Sequence, residues 1–254
     1  MRTLENIFAS ILARVLPTSC IVCESFQGQT MCPFCMEVLS TENLFNYECC
    51  YQCAIPLESH ELEKKCCIDC AINSPYFDET HCLDRYEGRL QKALHQLKYE
   101  RRLAFAHGLA TAWNACTAEA LQNTRARYLL PVPLSPEKLC TRGFNQSWEL
   151  ARRIQCHPQI EKLPYALMRY HAMQSQVTES RAKRGIAIRG MFYISDQYQS
   201  ILENQTIIVF DDVMTSGATL NEIARVLKDN GASRVINWVL LRTARPAQPK
   251  AQHV

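Results

Sequence analysis

The 254-residue sequence lacks the two features that would place it in or across a membrane. No apolar run approaches the about 20 residues that a membrane-spanning helix needs, and the longest candidates are only strand-length. Residues 1–17 also lack a secretory pattern, because Glu5 and Arg14 interrupt the apolar stretch and no small-residue cleavage site follows. We therefore expect a cytoplasmic protein, in which disulfides are disfavoured.

The N-terminal segment 1–18 nevertheless has the pattern of a short amphipathic helix. Apolar residues recur there at helical spacing before Pro17: Leu4, Ile7, Phe8, Ile11, Leu12 and Val15. Such a helix either lies on the inner face of the cytoplasmic membrane as a peripheral contact or docks on its own protein. The few basic residues on this segment favour docking.

Cysteine is abundant, with fourteen residues in the chain, ten of them at or before Cys70. Eight form four C-x-x-C pairs: Cys20 and Cys23, Cys32 and Cys35, Cys50 and Cys53, Cys67 and Cys70. Two thiolates at this spacing can reach one tetrahedral ion at about 2.3 Å, so the four pairs predict a structural zinc-ribbon module with two closed zinc sites.

The spacing leaves the pairing of these cysteines open. The first pair can share an ion with the second pair, or with the third in an interleaved arrangement. Cys49 and Cys66 also compete with their neighbours as ligands. Metal binding would supply the folding energy of a module that is too small for a core of its own.

A change of composition near residue 75 predicts four segments. After the segment 1–18 come a double zinc-ribbon module over 19–74, an α/β domain over 75–245 and a disordered, proline-rich tail over 246–254. Helical patterns cover 90–97 and 103–113, with a break near 99–101. Near the C-terminus, TIIVF, ATLNEIARVLKDNG and RVINWVLLRTA predict a strand, a helix and a strand, and hence a parallel sheet.

Two adjacent aspartates, Asp211 and Asp212, follow the TIIVF strand. Ligands of open α/β sheets bind at the carboxyl ends of strands. The loop that follows is small and hydroxylated, Gly217 lets successive N–H groups converge, and the next helix points its N-terminus at the same place. This pattern predicts a cup for a monophosphate, and it is not a Walker loop because it has no G-x-x-x-x-G-K-[ST] spacing.

A phosphate cup beside two acids indicates a sugar phosphate. The vicinal hydroxyls of a ribose offer donors to two carboxylates, and a Mg²⁺ ion can bind next to them. A single helix-capping aspartate is the ordinary alternative, but it explains only one of the two acids.

The segment from Lys138 to Arg189 is strongly basic, with ten Lys or Arg against three Glu. Such a block is typical of phosphate or nucleic-acid binding, and equally of a solvated basic face. The candidates for a phosphate backbone are Arg142, Arg152, Arg153, Arg181, Lys183 and Arg184. Three aromatic residues, Tyr165, Tyr170 and Phe192, interleave with these basic residues. Core packing is a more common role for such aromatic residues than base stacking.

Two motifs carry a resemblance to known families. IIVFDDVMTSGAT resembles the 5-phosphoribosyl-1-pyrophosphate (PRPP) motif of type I phosphoribosyltransferases, and PVPLSPEKLCTRGFNQS resembles the signature of the competence protein ComF (ComFC) family. The order of the cysteine pairs, the Y-E-G-x-L segment, R-G-F-N-Q and the PRPP motif agrees with that family from Cys20 to about Thr243. The resemblance implies an α/β fold, a type I phosphoribosyltransferase-like parallel sheet flanked by helices and preceded by the cysteine module.

The resemblance also implies roles for particular residues. Asp211 and Asp212 would hold the ribose hydroxyls, and the loop Thr215–Thr219 would hold the 5-phosphate. Arg142, and less strongly Lys98, would lie on the pyrophosphate side. The complete set implied for PRPP is Lys98, Arg142, Asp211, Asp212, Val213, Met214, Thr215, Ser216, Gly217, Ala218 and Thr219.

For function, the resemblance implies a PRPP-binding protein of natural transformation that handles single-stranded DNA in the cytoplasm. One alternative is a nucleobase phosphoribosyltransferase of nucleotide salvage, which needs the same cup and Mg²⁺. Another is an adaptor whose zinc module binds a DNA-translocating helicase or a recombination-loading protein while PRPP acts as a regulatory ligand. Whether transfer to an acceptor occurs is open at this point.

Overall fold

The computed structural model of the protein describes residues 18–118, 120–121, 124–170 and 188–245. Residues 1–17 of the expected N-terminal helix and the tail 246–254 lie outside these ranges, as do three of the candidate nucleic-acid residues, Arg181, Lys183 and Arg184. No helix within the described ranges is long and apolar enough to cross a bilayer.

The described chain alternates strands and helices. The strands are β1 (Thr18–Ser19), β2 (Phe26–Gln27), β3 (Glu79–Arg85), β4 (Tyr128–Pro131), β5 (Glu161–Lys162), β6 (Leu167–Arg169), β7 (Phe192–Ile194), β8 (Thr206–Met214) and β9 (Arg234–Arg242). The helices are α1 (Pro33–Glu42), α2 (Ile68–Ile72), α3 (Gln91–Tyr99), α4 (Ala104–Thr117), α5 (Pro136–Arg142), α6 (Gln146–Ala151), α7 (Asp196–Leu202) and α8 (Ala218–Asp229). Short 3₁₀ turns cover Leu44–Asn46 and Ser59–Glu61.

The centre of the fold is a five-stranded parallel sheet in the order β3-β9-β8-β4-β5. Two antiparallel pairs, β1 with β2 and β6 with β7, lie outside it. The predicted unit of strand, helix and strand near the C-terminus is confirmed as β8, α8 and β9, and the predicted parallel α/β sheet is confirmed with it.

Each face of the sheet has its own apolar core, because neighbouring side chains of a strand point to opposite sides. On β8, Ile208 and Phe210 pack with α3, α4 and α6, while Ile207 and Val209 pack with α8 and the β6–β7 pair. The sequence of β8 is therefore almost continuously apolar, as expected for a strand buried on both faces.

Two details of the fold concern predictions made from the sequence, one confirmed and one wrong. The helical break near residue 100 is confirmed between α3 and α4, where Arg101 has a positive φ of 54°. The predicted strand TIIVF is too short, because pairing continues from Asp211 with Val239 as far as Met214 with Arg242. The two aspartates therefore lie within β8 rather than after it.

The cysteine-rich segment divides between the two faces of the sheet. Its first half packs on α4, where Ile21 fills the space beside Gly108. Its second half belongs to the core on the α8 side, and the amide of Thr80 on β3 donates to the carbonyl of Tyr51 at 2.9 Å. The whole segment is thus part of the folded body around the sheet, and the boundary at residue 74 stays a prediction.

Candidate functional site

The two adjacent aspartates are buried and bound to different partners. The hydroxyl of Ser147 on α6 donates to Asp211 Oδ1 at 3.1 Å, and the amide of Asp212 donates to the same oxygen at 2.9 Å. The Lys98 ammonium on α3 lies 2.6 Å from Asp212 Oδ2. Both partners come from helices on the same face of the sheet, and the two neighbouring carboxyl groups interact directly with each other.

Burial has a direct effect on the protonation of Asp211. Desolvation, and then the neighbouring charge of Asp212, raise the pKa of Asp211 to about 8, while the Lys98 ammonium opposes the rise. At neutral pH this carboxyl is therefore largely protonated, which removes the repulsion that two buried neighbouring carboxylates would otherwise feel.

The loop after β8 surrounds a small cavity of about 130 Å³. Its lining contains Asp211 and every residue from Val213 to Leu220, together with Ile188. Gly217, with φ of 79°, is the N-cap of α8, a twelve-residue helix, so the partial positive charge of this helix N-terminus is directed at the cavity. A Cβ at Gly217 would lie 2.6 Å from the Met214 methyl group, which gives a steric reason for glycine here.

The two basic residues expected on the pyrophosphate side lie on neighbouring elements. Arg142, the last residue of α5, donates to the buried Gln146 side chain and lies over the ring of Tyr99, 5.7 Å from its centroid. Tyr99 is the residue after Lys98, so Arg142 lies against the C-terminal end of the helix whose Lys98 binds Asp212. Neither Arg142 nor Lys98 lines the 130 Å³ cavity.

The eight cysteines of the C-x-x-C pairs form two clusters. The first cluster contains Cys20, Cys23, Cys32 and Cys35, and the second cluster contains Cys50, Cys53, Cys67 and Cys70, with all Sγ atoms of a cluster within 4.8 Å of one another. The pairing is thus sequential rather than interleaved. A tetrahedron of sulfurs around zinc has edges of about 3.8 Å, and the Cys23–Cys32 and Cys53–Cys67 sulfur distances are 3.7 and 3.6 Å.

The thiols within a cluster influence one another's protonation. The pKa of Cys67 is lowered to about 7, chiefly by its hydrogen bond with Cys53, and the pKa of Cys53 is raised by its hydrogen bonds with Cys50 and Cys67. Cys49 and Cys66 lie outside both clusters: the Cys49 thiol donates to a backbone carbonyl and Cys66 to the Gln52 side chain. The donor sets and spacings of both clusters fit zinc.

The candidate nucleic-acid arginines that the structure describes are already paired. Arg152 and Arg153 both bind Glu149, at 2.6 and 2.5 Å. Of the interleaved aromatics, Phe192 is buried in the core, whereas Tyr165 and Tyr170 are more than half exposed. Core packing is therefore the correct interpretation for Phe192 but not for the two tyrosines.

Two residues at the site were not predicted from the sequence. Ser147 directly follows the R-G-F-N-Q stretch, and its hydroxyl reaches Asp211 only because α6 packs against the end of β8. Arg242 ends β9 and is buried, with contacts to the loop carbonyls of Met214 and Thr215. A signal for Arg242 was present in the sequence, since it is a lone charge at the end of the apolar run VINWVLL.

The sequence model of the phosphoribosyl transferase domain family matches residues 141–254. The DNA utilization protein YhgH of Salmonella typhi is 31% identical over 205 residues, covering 76% of this chain and 84% of that protein. YhgH of Shigella flexneri is 28% identical over 220 residues, covering 84% and 90%. Competence protein ComFC of Bacillus subtilis is 24% identical over 242 residues, covering 88% and 95%.

Proposed function

Since the chain belongs to the ComF family of phosphoribosyltransferase-like proteins, we propose that it binds PRPP and acts in natural transformation, in the cytoplasmic handling of single-stranded DNA. The names of the relatives, DNA utilization and competence, support the second part. The observation that carries the first part is the cavity at the end of β8, where a buried carboxyl and the loop before α8 line one space.

The loop Thr215–Thr219 is the proposed site of the 5-phosphate. Backbone N–H groups at a helix N-terminus and in a tight loop bind phosphate oxygens without a lysine. The hydroxyls of Thr215, Ser216 and Thr219 add donors. All three residues line the cavity, which supports this assignment. Val213, Met214 and Ala218 would contribute backbone and shape rather than side-chain chemistry.

Asp211 and Asp212 are the proposed acceptors for the ribose hydroxyls. With a pKa of about 8, Asp211 can change its protonation on contact with ligand near neutral pH. Asp212 is held by Lys98, so its second oxygen is the one available to a hydroxyl. Arg142 is the proposed cation on the pyrophosphate side, because its guanidinium has one hydrogen bond to Gln146 and otherwise lies over Tyr99.

Magnesium would bind together with PRPP rather than in a cage of protein ligands. Mg²⁺ keeps several waters and prefers one or two carboxylates plus substrate phosphates. Asp211 is the better carboxylate for it, since Asp212 already has an ammonium at 2.6 Å. The ion would neutralise charge on the pyrophosphate group when bound.

Zinc is the proposed ligand of both cysteine clusters, one ion in each. Four thiolates leave no open position on a tetrahedral ion, so the role is structural. The placement of the two clusters on opposite faces of the sheet supports this, because each would hold a loop-rich segment against a different core.

The proposed DNA surface follows the β6–β7 pair and α6. Arg152 and Arg153 share one carboxylate, so the group retains a net positive charge, and the Arg152 side chain is 44% exposed. Tyr170 stacks on Tyr193 with centroids 4.3 Å apart, and Tyr165 is exposed nearby in sequence. The arginines lie on the α6 side of the sheet and the tyrosines on the β6–β7 side, so the proposed surface has one part for phosphates and another for stacked bases, the two contacts that single-stranded nucleic acid offers.

The PRPP part of the proposal is tested by thermal melting with PRPP and Mg²⁺. We expect a rise in Tm for the wild type and none for the double variant Asp211→Ala with Asp212→Ala. The control is Asp196→Ala, an exposed acid on α7, which should keep the full rise. An equal rise in the double variant would contradict the assignment of PRPP to the end of β8.

The DNA part is tested by mobility shift on a single-stranded oligonucleotide at low salt. Stacking contributes about 1–3 kcal/mol per base, so Tyr170→Ala should weaken binding about 5- to 150-fold. Tyr47→Ala is the matched control, an exposed ring beside Arg85 on the other edge of the sheet. No binding by the wild type at low salt would contradict direct DNA handling and favour the adaptor alternative. Release of pyrophosphate on addition of a nucleobase would favour salvage.

A further inference from the structure

Arg242 joins the second cysteine cluster to the loop of the proposed phosphate site. This arginine ends β9 and is 6% exposed. Its Nε donates to the carbonyl of Cys53 at 3.0 Å. Its Nη1 donates to the carbonyl of Met214 at 3.1 Å and to that of Thr215. One guanidinium thus contacts a cluster residue on one side and the first residues of the loop on the other.

The orientation of the loop depends on these hydrogen bonds. In a trans peptide the N–H group points away from the preceding carbonyl. When Arg242 holds the carbonyls of Met214 and Thr215, the N–H groups of Thr215 and Ser216 must point in the opposite direction. Both residues line the 130 Å³ cavity. The Met214 carbonyl also accepts from the Thr243 amide at 3.1 Å, so Arg242 shares the orientation of the Thr215 N–H with that amide, while its bond to the Thr215 carbonyl orients the Ser216 N–H. Arg242 thus orients potential phosphate donors without contacting the phosphate itself.

The charge of Arg242 supplies a second argument. Its hydrogen bonds with described residues go to backbone carbonyls and to the Thr243 hydroxyl. These partners are neutral, and a buried full charge without compensation is costly. A zinc ion held by four thiolates has a net charge of about −2, and Cys53 is one of the four. Metal in the second cluster would therefore compensate the arginine on which the loop depends.

On these grounds we infer that Arg242 is a positioning residue that couples metal binding in the second cluster to phosphate binding in the loop. The inference rests on the proposed PRPP site. Metal would hold Cys53 through its sulfur and so hold the carbonyl that Arg242 uses. Loss of metal would release that carbonyl, and the loop would lose its fixed donors.

The first cluster provides an internal control. It packs on the α4 side of the sheet, where Ile21 contacts Gly108. Cys53 and Arg242 lie with the second cluster, whose core is on the α8 side. Coupling should therefore be specific to one of two clusters with the same ligand set.

The first experiment measures PRPP affinity by calorimetry in the presence of Mg²⁺. We expect Arg242→Lys to weaken binding at least about tenfold, in the range of typical coupling between sites, because an ammonium cannot reach Cys53 and Thr215 at once. Cys53→Ser should weaken binding to a similar extent, and Cys23→Ser in the first cluster should leave the affinity within about twofold. Equal affinities in all four proteins would overturn the inference.

The second experiment measures zinc affinity at equilibrium, by competition with a chromogenic chelator, first in the wild type and then in Arg242→Lys. Coupling of two binding equilibria is reciprocal, so saturating PRPP should raise the affinity of the wild type for one of its two zinc ions about tenfold. Arg242→Lys should abolish that protection and should weaken the binding of this ion even without PRPP. Protection of both ions or of neither, in a wild type that binds PRPP, would refute the coupling. A wild type that does not bind PRPP, together with an Arg242→Lys variant that binds zinc more weakly, would refute the proposed function and leave the link between Arg242 and the cluster standing.

Discussion

Replacement of Asp211 by asparagine should make the free protein more stable, although it removes a candidate binding residue. Asparagine keeps the Oδ1 acceptor for the Ser147 hydroxyl and the Asp212 amide. It also removes a buried carboxyl whose pKa is raised to about 8, first by desolvation and then by the charge of Asp212, and which must therefore take up a proton on folding near neutral pH. The native site is thus suboptimal for stability, as functional sites often are.

The sign and size of this stability change follow from the linkage between protonation and folding. A carboxyl with a folded pKa above its unfolded value binds more protons when folded, so its contribution to stability falls as pH rises between those values. The shift from 3.8 to about 8 sets an upper limit of about 6 kcal/mol, at about 1.4 kcal/mol per pH unit. Water penetration and relaxation reduce such penalties, so we expect a gain of about 2 kcal/mol at pH 8 and almost none at pH 4.

The assay is the difference in Tm between Asp211→Asn and wild type at several pH values from 4 to 8.5. About 2 kcal/mol corresponds to roughly 4–8 °C in a chain of this size. Asp212→Asn is the matched control, since it deprives Lys98 of its partner and should lower Tm. A difference for Asp211→Asn that is negative at pH 8, or that does not grow with pH, would refute the argument.

Three further predictions concern two glycines and the zinc content of the protein. Gly217→Ala should weaken PRPP binding in a calorimetric titration, because φ of 79° disfavours a side chain and the Met214 side chain must move. The control is Gly190→Ala, which has a similar φ of 75° but open space around it, and this variant should bind PRPP normally. Gly108→Ala should lower Tm despite a gain of about 1 kcal/mol in helix propensity, because its methyl group would lie 2.7 Å from Ile21; a rise in Tm would contradict the packing. Mass spectrometry should find two zinc ions per chain, and a serine in either cluster should reduce the content to one, whereas an unchanged content would exclude that cluster.

The sheet and the loop after β8 were predictable because they depend on local patterns. A strand buried on both faces is apolar throughout, and an amphipathic helix repeats its apolar residues every three or four positions. These rules identified β8, α8 and β9 and located the break between α3 and α4. The end of β8 was not predictable, because β9 continues beside it and hydrogen bonds extend the strand through Asp211 and Asp212.

The parts of the site that depend on contacts between distant residues could not be predicted. The spacing of cysteines determines which pairs can share an ion but not which pairs meet in the fold. The partner of Arg152 and Arg153, in contrast, is local: Glu149 lies three and four positions before them, at the spacing of helical ion pairs. The contact between Arg242 and Cys53 spans 189 positions, and it arises only when the cysteine module packs on the sheet.

The central claim, that the loop after β8 binds the 5-phosphate of PRPP, is tested most directly by ³¹P nuclear magnetic resonance. The monophosphate and the pyrophosphate groups of PRPP give separate signals, so the contact of each can be followed in one titration. We predict that the wild type shifts and broadens the monophosphate signal and that Gly217→Ala largely abolishes this effect. A monophosphate signal that the wild type leaves unchanged, or that Gly217→Ala perturbs as strongly as the wild type, would contradict the claim.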